Sequence, residues 1–408
     1  MGSESVGKEH HTAAGGFRNP WPSYGKRPSF LSTMKFFMFE MDRSAVSEEV
    51  KQRLGAPLKT NLDALANPPV GALQATWVGH ATFLLQFDKL NVLTDPIWSD
   101  RCSPSTIVGP KRFMPVPFPI KDLPPVDVVI ISHNHYDHLD EATVRALGNK
   151  PLYLVPLGIK SWFTSLGITN VVELDWWQEH QFSASDGDNL KTLRAVCTPC
   201  QHFSGRGILD RDKTLWCSWV LESPSKKVYF GGDTGFCSVT KDSDHPGGDV
   251  ATRETISHSK KEDLPVCPSF AEIGKRFGPF DLACLPIGAY SPRHFMSSIH
   301  CSPEDAVAIH IAVNAKRSIG MHWGTFKLTD EAILEPPLRV EKVWFLNLSD
   351  FVNIILASRC VNINTGMQMS RNFYTFSLTI TIEPSTALFR RSSQHDTKYC
   401  NVCRNWLD

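Results

Sequence analysis

Residues 126–140 read VDVVIISHNHYDHLD, a β-branched run that ends in three histidines and an aspartate within six positions. The run Val126–Ser132 is nearly continuous valine and isoleucine, the pattern of a strand covered on both faces. The polar cluster therefore begins where a buried strand leaves its sheet. Along extended backbone His133 and His135 project to the same side and can grip one metal. Asp137 and His138 fall where the chain turns and suit a second cation close by. Imidazoles and carboxylates are ligands of a borderline divalent ion such as zinc. A lone histidine there would read better as part of a solvated turn; H-x-H-x-D-H at a strand exit reads as a metal motif.

A strand buried on both faces needs neighbouring strands and helical crossovers. Upstream, LQATWVGHATFLLQF and LNVLTDP read as a hairpin with period-2 stretches. Downstream, EATVRAL is helical, LYLVP a strand, and GIKSWFTSLG a helix closed by glycine. NVVELDWW, LKTLRAVCTP, LWCSWVLES and KVYFGGD continue as strands. SFAEIGKRFG is helical, DLACLPIG a strand, SPEDAVAIHIAVN a helix capped by Ser302, and KRSIGMHW a strand. The strand-then-helix grammar thus runs twice, predicting an α/β sandwich of two mixed sheets with helices on the outer faces.

A two-metal site needs ligands from further strand ends, and the sequence supplies them. VCTPCQHFSG places His202 just past a strand. VYFGGDTG places Asp233 after a glycine pair, where a carboxylate can bridge two cations; alone, GGDTG could equally be a phosphate-binding turn. SIGMHWGTF places His322 after another strand. Cations held there would activate a water for attack without a covalent protein nucleophile. The chain shows no convincing Ser-His-Asp or Cys-His signature. His80 and Asp95 read as core or supporting groups, with Asp95 able to orient a ligating imidazole. Cys197/Cys200 and Cys400/Cys403 read as two unrelated pairs rather than a zinc knuckle. His10, His11, His245, His258 and His395 read as solvated, and His180, His294 and His310 have no partner visible in the sequence.

Apolar residues at 42% and charged residues at 21% are ordinary globular values, and Lys+Arg equals Asp+Glu at 42 each. That balance argues against a broad nucleic-acid surface. Eleven cysteines in no small-scaffold spacing, with no apolar signal core at the start, suggest a reducing, intracellular setting. Val6 occupies the position where a myristoylation pattern wants Ser or Thr. No stretch is long and apolar enough to span a bilayer. Residues 1–42 divide into a polar, disordered start (1–16) and an aromatic, basic segment (17–42) suited either to a membrane interface or to packing on the core. The main domain is expected over 43–350. It would carry an inserted mobile loop at 238–266 and be followed by an atypical tail at 351–408, in which YTFSLTITIE alternates as a strand.

The ordered set His133, His135, Asp137, His138, His202, Asp233, His322 resembles that of the metallo-β-lactamase superfamily, whose fold is an αβ/βα sandwich. NPWPSY, WVGHATFLLQF, LTDPIWSDR, ISHNHYDHLD, ELDWW, AEIGKRFGPFDLA, PIGAYSPRHFM and MHWGTF resemble, more narrowly, the N-acyl-phosphatidylethanolamine-hydrolysing phospholipase D family from Asn19 to Asp350. The resemblance implies two zinc ions. One is assigned to His133, His135 and His202, the other to Asp137, His138 and His322, with Asp233 bridging. It places Tyr136 and His300 near the substrate phosphate; either Asp233 or His300 could manage the proton that leaves, and the sequence does not choose between them. Gly205 stands where the family has a lysine of its bile-acid site, so that site is not carried over. The implied reaction releases an N-acylethanolamine and phosphatidic acid. The implied setting is a peripheral homodimer on Golgi- or endosome-like membranes, with a phospholipid and not a nucleic acid as partner. Other metal hydrolases of the fold (a sugar-phosphate lactonase or a nuclease) and a catalytically silent scaffold are the alternatives.

Overall fold

Alternation along the strands decides the layering. In the computed structural model, residues 8–25, 35, 36, 39, 41–54, 60–186, 189–207, 209–239, 265–346, 354–356 and 379–382 are described. The first sheet comprises β1 (Leu73–Gly79), β2 (Thr82–Phe87), β3 (Leu90–Thr94), β4 (Val128–Ile130), β5 (Leu152–Pro156) and β6 (Val171–Leu174). The second comprises β7 (Glu179–Asp186), β8 (Asn189–Thr198), β9 (Ser218–Glu222), β10 (Lys227–Phe230), β11 (Leu282–Pro286), β12 (Ser318–Met321) and β13 (Ile354–Leu356). A last strand, β14 (Thr379–Ile382), returns to the first sheet. The orders are β14-β1-β2-β3-β4-β5-β6 and β13-β12-β11-β10-β9-β8-β7. Each sheet is antiparallel on one side and parallel on the other: β3 to β6 in the first, β10 to β13 in the second.

Val128 and Ile130 join Leu73, Ala75, Trp77, Phe83 and Leu85 in one apolar cluster with Val196, Trp219, Val228, Phe230, Leu282 and Ile319 of the second sheet. Their neighbours Val129 and Ile131, with Val78, Leu84 and Leu93, belong to a second cluster containing Val144, Ile159 and Phe163 of the helical layer. A period of two on strands covered on both sides therefore makes the αβ/βα sandwich: one set of side chains fills the space between sheets, the other meets the helices. The Trp219 indole, fully buried, donates across the sheets to the Ile131 carbonyl (2.9 Å), and Cys217 N–H donates to the Ser132 carbonyl (2.9 Å). These bonds fix the backbone immediately before His133.

Helices form where the sequence caps them. Asp140 accepts from Ala142 N–H at the start of the helix Glu141–Leu147. Ser302 and Asp305 form a reciprocal capping box on Pro303–Ala312.

Four segments differ from the sequence reading or extend it. The start is not free: residues 8–25 form an ordered strap in which His11 pairs with Phe17, and His10 is buried. Its aromatic residues pack inward, Tyr24 being buried and Trp21 stacking on Trp176 (5.3 Å between centroids). Phe36 is buried against Phe295 and Met296, whereas Phe39 is 76% exposed. The tail strands complete both sheets, β13 parallel to β12 and β14 antiparallel to β1 through Ala75↔Ile380 and Leu73↔Ile382. The ends of the expected insert are joined by a bridge between Cys237 and Val266. Residues 1–7, 26–34, 37, 38, 40, 55–59, 187, 188, 208, the body of the insert (240–264) and, in the tail, 347–353, 357–378 and 383–408, including His245, His258, His395, Cys400 and Cys403, lie outside the described residues.

Candidate metal centre

Four strands deliver their C-terminal ends to one place. After β4 the chain runs extended through His133 and then turns, His138 and Leu139 N–H both donating to the His135 carbonyl (3.1 and 2.9 Å). Past β8 comes His202, past β10 Asp233, and directly after β12 His322. The glycine pair before Asp233 is required by close approach. Gly232 has φ +58°, and a Cβ there would lie 2.7 Å from the Ser132 Cβ. His322 and His80 also adopt left-handed φ (63° and 55°), rare for non-glycine residues, and are tied by His322 N–H to the His80 carbonyl (3.1 Å).

The structure brings all seven anticipated ligands together around Asp233. On one side, His133 Nε2 and His202 Nε2 approach His135 Nδ1 (2.7 and 3.3 Å) and stand 3.9 and 3.7 Å from Asp233 Oδ2. On the other, His138 Nε2 lies 3.1 Å from Asp233 Oδ2 and His322 Nε2 lies 3.1 Å from Oδ1; both are 3.4 Å from Asp137 Oδ2. Asp233 thus faces both subsets.

The outer ring nitrogens of His133, His138 and His202 are occupied, whereas that of His322 has no hydrogen-bond partner. His138 Nδ1 donates to Asp95 (2.7 Å) and His202 Nδ1 to the Ile299 carbonyl (2.8 Å). Ser132 Oγ bonds both Asp95 Oδ2 (2.5 Å) and His133 Nδ1 (2.9 Å). With the hydroxyl proton given to Asp95, His133 donates to Ser132 Oγ. In the neutral ring each bond fixes the tautomer whose inward nitrogen carries a lone pair. Asp95 therefore orients an imidazole, as expected, and His80 holds Asp137 through a 2.8 Å contact from Nε2.

Burial keeps the first imidazole group neutral. It pushes His133 and His202 well below the ordinary value and His135 to about 4. On the other side burial is overcome: the charges of Asp233 and Asp137 raise His138 well above the ordinary value and His322 to about 9. Both carboxyls are held well below theirs, against burial, chiefly by the His138 charge. Two ionised carboxylates in an enclosed site demand positive charge there. Several atoms that would meet a cation have no hydrogen-bond partner despite burial: His138 Nε2, His322 Nε2 and Asp233 Oδ1. The neutral nitrogens of His133, His135 and His202, the two ionised carboxylates and the unpartnered inward atoms fit a pair of divalent cations, which would take the place of the protons that the carboxylates otherwise hold on His138 and His322.

His300 sits at the rim, 8% exposed, with an unpartnered Nδ1 4.0 Å from Asp233 Oδ2. Burial lowers it to about 4 against the pull of Asp233, so the ring is neutral near pH 7. Tyr136 packs beside Ile97, Cys102, Phe326 and Leu328, and the Arg206 guanidinium lies 4.0 Å from its ring centroid. Sequence reasoning missed Arg206. It donates to the Asn134 and Leu139 carbonyls (3.0 and 2.7 Å) and so clamps the motif turn from both ends. Nothing but its nearness to His202 marks it in the sequence.

Two other anticipations resolve differently. His10 and His11 are not solvated; they bond the two oxygens of Asp175 (2.7 and 2.8 Å). His310 has a partner, Ser318 Oγ (2.7 Å). Cys197 and Cys200 are buried thiols, Cys200 donating to the Asp233 carbonyl (3.5 Å).

A family model described as a beta-lactamase superfamily domain matches residues 90–263 and 262–323. An N-acyl-phosphatidylethanolamine-hydrolyzing phospholipase D 1 of Caenorhabditis elegans is 37% identical over 332 residues, which cover 78% of this chain and 84% of that one. An uncharacterized protein of Mycobacterium tuberculosis is 39% identical over 334 residues, 78% of each chain. The N-acyl-phosphatidylethanolamine-hydrolyzing phospholipase D, mitochondrial, of Saccharomyces cerevisiae is 35% identical over 270 residues, 65% of this chain and 50% of its own length.

Proposed function

The chain belongs to the β-lactamase superfamily of metal-dependent hydrolases and, within it, to the N-acyl-phosphatidylethanolamine-hydrolysing phospholipase D family; on that footing we propose that it hydrolyses N-acyl-phosphatidylethanolamine to an N-acylethanolamine and phosphatidic acid. The observation that carries the reading is the arrangement of two ligand subsets around one shared carboxylate, Asp233. It occurs in a chain closely related to an enzyme named for this reaction.

His133, His135 and His202 would hold one zinc, Asp137, His138 and His322 the other, and Asp233 both. When bound, such a pair polarises phosphoryl oxygens and lowers the pKa of water toward about 7. The protein's own groups then manage the rest. Water oxygen bonds to phosphorus, the bond from phosphorus to the ethanolamine oxygen breaks, and the water proton must reach the departing alkoxide. Asp233 or His300 would take that proton, Asp233 being the weaker base because its carboxyl is held well below the ordinary range. His300 is neutral, and its unpartnered Nδ1, 4.0 Å from Asp233 Oδ2, is free to accept a proton on the site's side and return it to the leaving alkoxide. Tyr136, held by Arg206, would line the phosphate side.

A lipid substrate calls for a membrane surface as partner. Ile107 and Val108 (80% and 70% exposed) and Leu209 (91%) stand on loops whose bases pack around Tyr136, through Cys102 and Arg206 respectively. Among the described residues no helix is long and apolar enough to cross a membrane. Peripheral attachment to intracellular membranes of Golgi or endosomal type, as a homodimer, completes the reading. The test is release of N-acylethanolamine from vesicles containing N-acyl-phosphatidylethanolamine, with and without a chelator. Chelator-sensitive release supports the proposal; activity on water-soluble esters alone defeats it.

A further inference from the structure

A second group of metal-ligating side chains lies outside the central cluster and shares no residue with it. His10 and His11 come from the N-terminal strap and Asp175 from the end of β6, 165 positions away. His10 Nε2 is 2.7 Å from Asp175 Oδ1, His11 Nε2 is 2.8 Å from Oδ2, and the three ligand atoms lie within 4.8 Å of one another. We propose that His10, His11 and Asp175 form a structural divalent-cation site of zinc type that staples the strap to the edge of the first sheet.

The side chains are held as ligands are held. Asp175 takes a bond from Trp176 N–H (2.9 Å), and its own N–H is fixed by Gln178 Oε1 (2.8 Å). The His10 ring stacks on Trp176 (4.2 Å, 22°) and His11 meets Phe17 edge-on (5.1 Å). His10 and Asp175 are buried, while the His11 side chain keeps 30% exposure, leaving a solvent side for ion entry and for a water as fourth ligand. Among the described residues the one ammonium or guanidinium paired with this carboxylate is that of Lys8, 71% exposed, with its Nζ 3.8 Å away. For a buried carboxylate facing two imidazoles and so distant an ammonium, a divalent ion held by all three side chains would be a tighter counterion. The Asp175 carboxyl, pulled down to about 2 by the two imidazoles against the effect of burial, has no proton to lose on binding one.

The staple would act on the central cluster from behind. Beyond it the strap carries Asn19, whose side chain donates to the His202 carbonyl (2.7 Å), and Ser23, which donates to Gln201 Oε1 (2.6 Å).

The competing account is a latch of hydrogen bonds alone, and the double variant His10→Gln/His11→Gln separates the two. Glutamine keeps an N–H donor toward Asp175 but is a poor zinc ligand. The full chain and the variant are equilibrated with zinc and freed of excess, and metal per folded chain is counted by plasma mass spectrometry. We expect the variant to hold one zinc fewer, with its share at the central cluster unchanged. Equal zinc in the two proteins overturns the proposal. Should the variant fail to fold, anomalous scattering at the zinc edge from zinc-soaked wild-type crystals decides alone. A peak among His10, His11 and Asp175 supports the site, and no peak there overturns it. Neither measurement depends on what the central cluster hydrolyses.

Discussion

The central cluster and the strap trio offer a cation the same kinds of atoms in unlike settings. At the centre, His133, His138 and His202 are all but inaccessible, and each has its outward nitrogen bonded by a serine, an aspartate or a carbonyl. In the trio the rings are steadied by aromatic stacking, and His11 remains partly in solvent. A centre that must do chemistry needs ligand positions fixed to fractions of an ångström, which takes a second layer of hydrogen bonds. A staple needs only to hold two segments together. Damage at the centre should therefore show in turnover, and damage at the strap in stability.

The sharpest break comes at the shared carboxylate. Asp233→Asn removes one of the two carboxylate charges set among the five candidate-ligand imidazoles, leaving the volume unchanged. Turnover should fall beyond the ~10–100-fold that loss of an outer hydrogen-bond partner causes, with both cations held less tightly. Retained turnover in a steady-state vesicle assay would sink the shared-carboxylate reading.

Next is the layer behind. Asp95→Asn keeps the shape but loses the charge that accepts from His138 Nδ1, Ser132 N–H and Ser132 Oγ. Metal affinity, read by competition with a chromophoric chelator, should drop by about 10–100-fold. The strap trio has no equivalent second carboxylate among the bonds described for it.

What the sequence made legible follows from the same contrast. Six positions of H-x-H-x-D-H announce a site because strand geometry turns proximity in sequence into proximity in space. His202, Asp233 and His322 could be anticipated because each follows a run that reads as a strand, and strand ends converge in a sandwich of this order. The layering was legible because Val128 to Ile131 alternate between two apolar clusters. The trio was not, since two histidines in a polar stretch say nothing of a carboxylate so far along the chain. Arg206 was hidden because its partners are backbone carbonyls, which every sequence has. The tail's place was hidden too: edge strands pair through main-chain bonds, so β13 carries little side-chain signature of its sheet.

Arg206 sits between the two regimes. Arg206→Met keeps much of the stem that covers Tyr136 but removes donors to the Asn134 and Leu139 carbonyls. Bonds from a charged donor contribute about 1.5–3 kcal/mol each when made. A loss of roughly 2–4 kcal/mol in urea unfolding is expected, accompanied by lower kcat as the motif turn relaxes. Unchanged kcat with lowered stability would make Arg206 a part of the scaffold only.

The smallest expected effect is also the one that joins the two regions. Asn19→Ala deletes the strap's bond to the His202 carbonyl (2.7 Å) and leaves every candidate ligand in place. One neutral hydrogen bond is worth about 1 kcal/mol, so stability should fall by that order. His202 is held independently by its Nδ1 bond to Ile299, so turnover should fall no more than about twofold. If the strap is only a cover, Asn19→Ala and His10→Gln/His11→Gln will lower stability additively, as separate contacts do. If the trio positions Asn19, removing the trio first will make the Asn19 substitution nearly silent. A double-mutant cycle in urea distinguishes these outcomes, and additivity would confine the strap's influence to its own end of the first sheet.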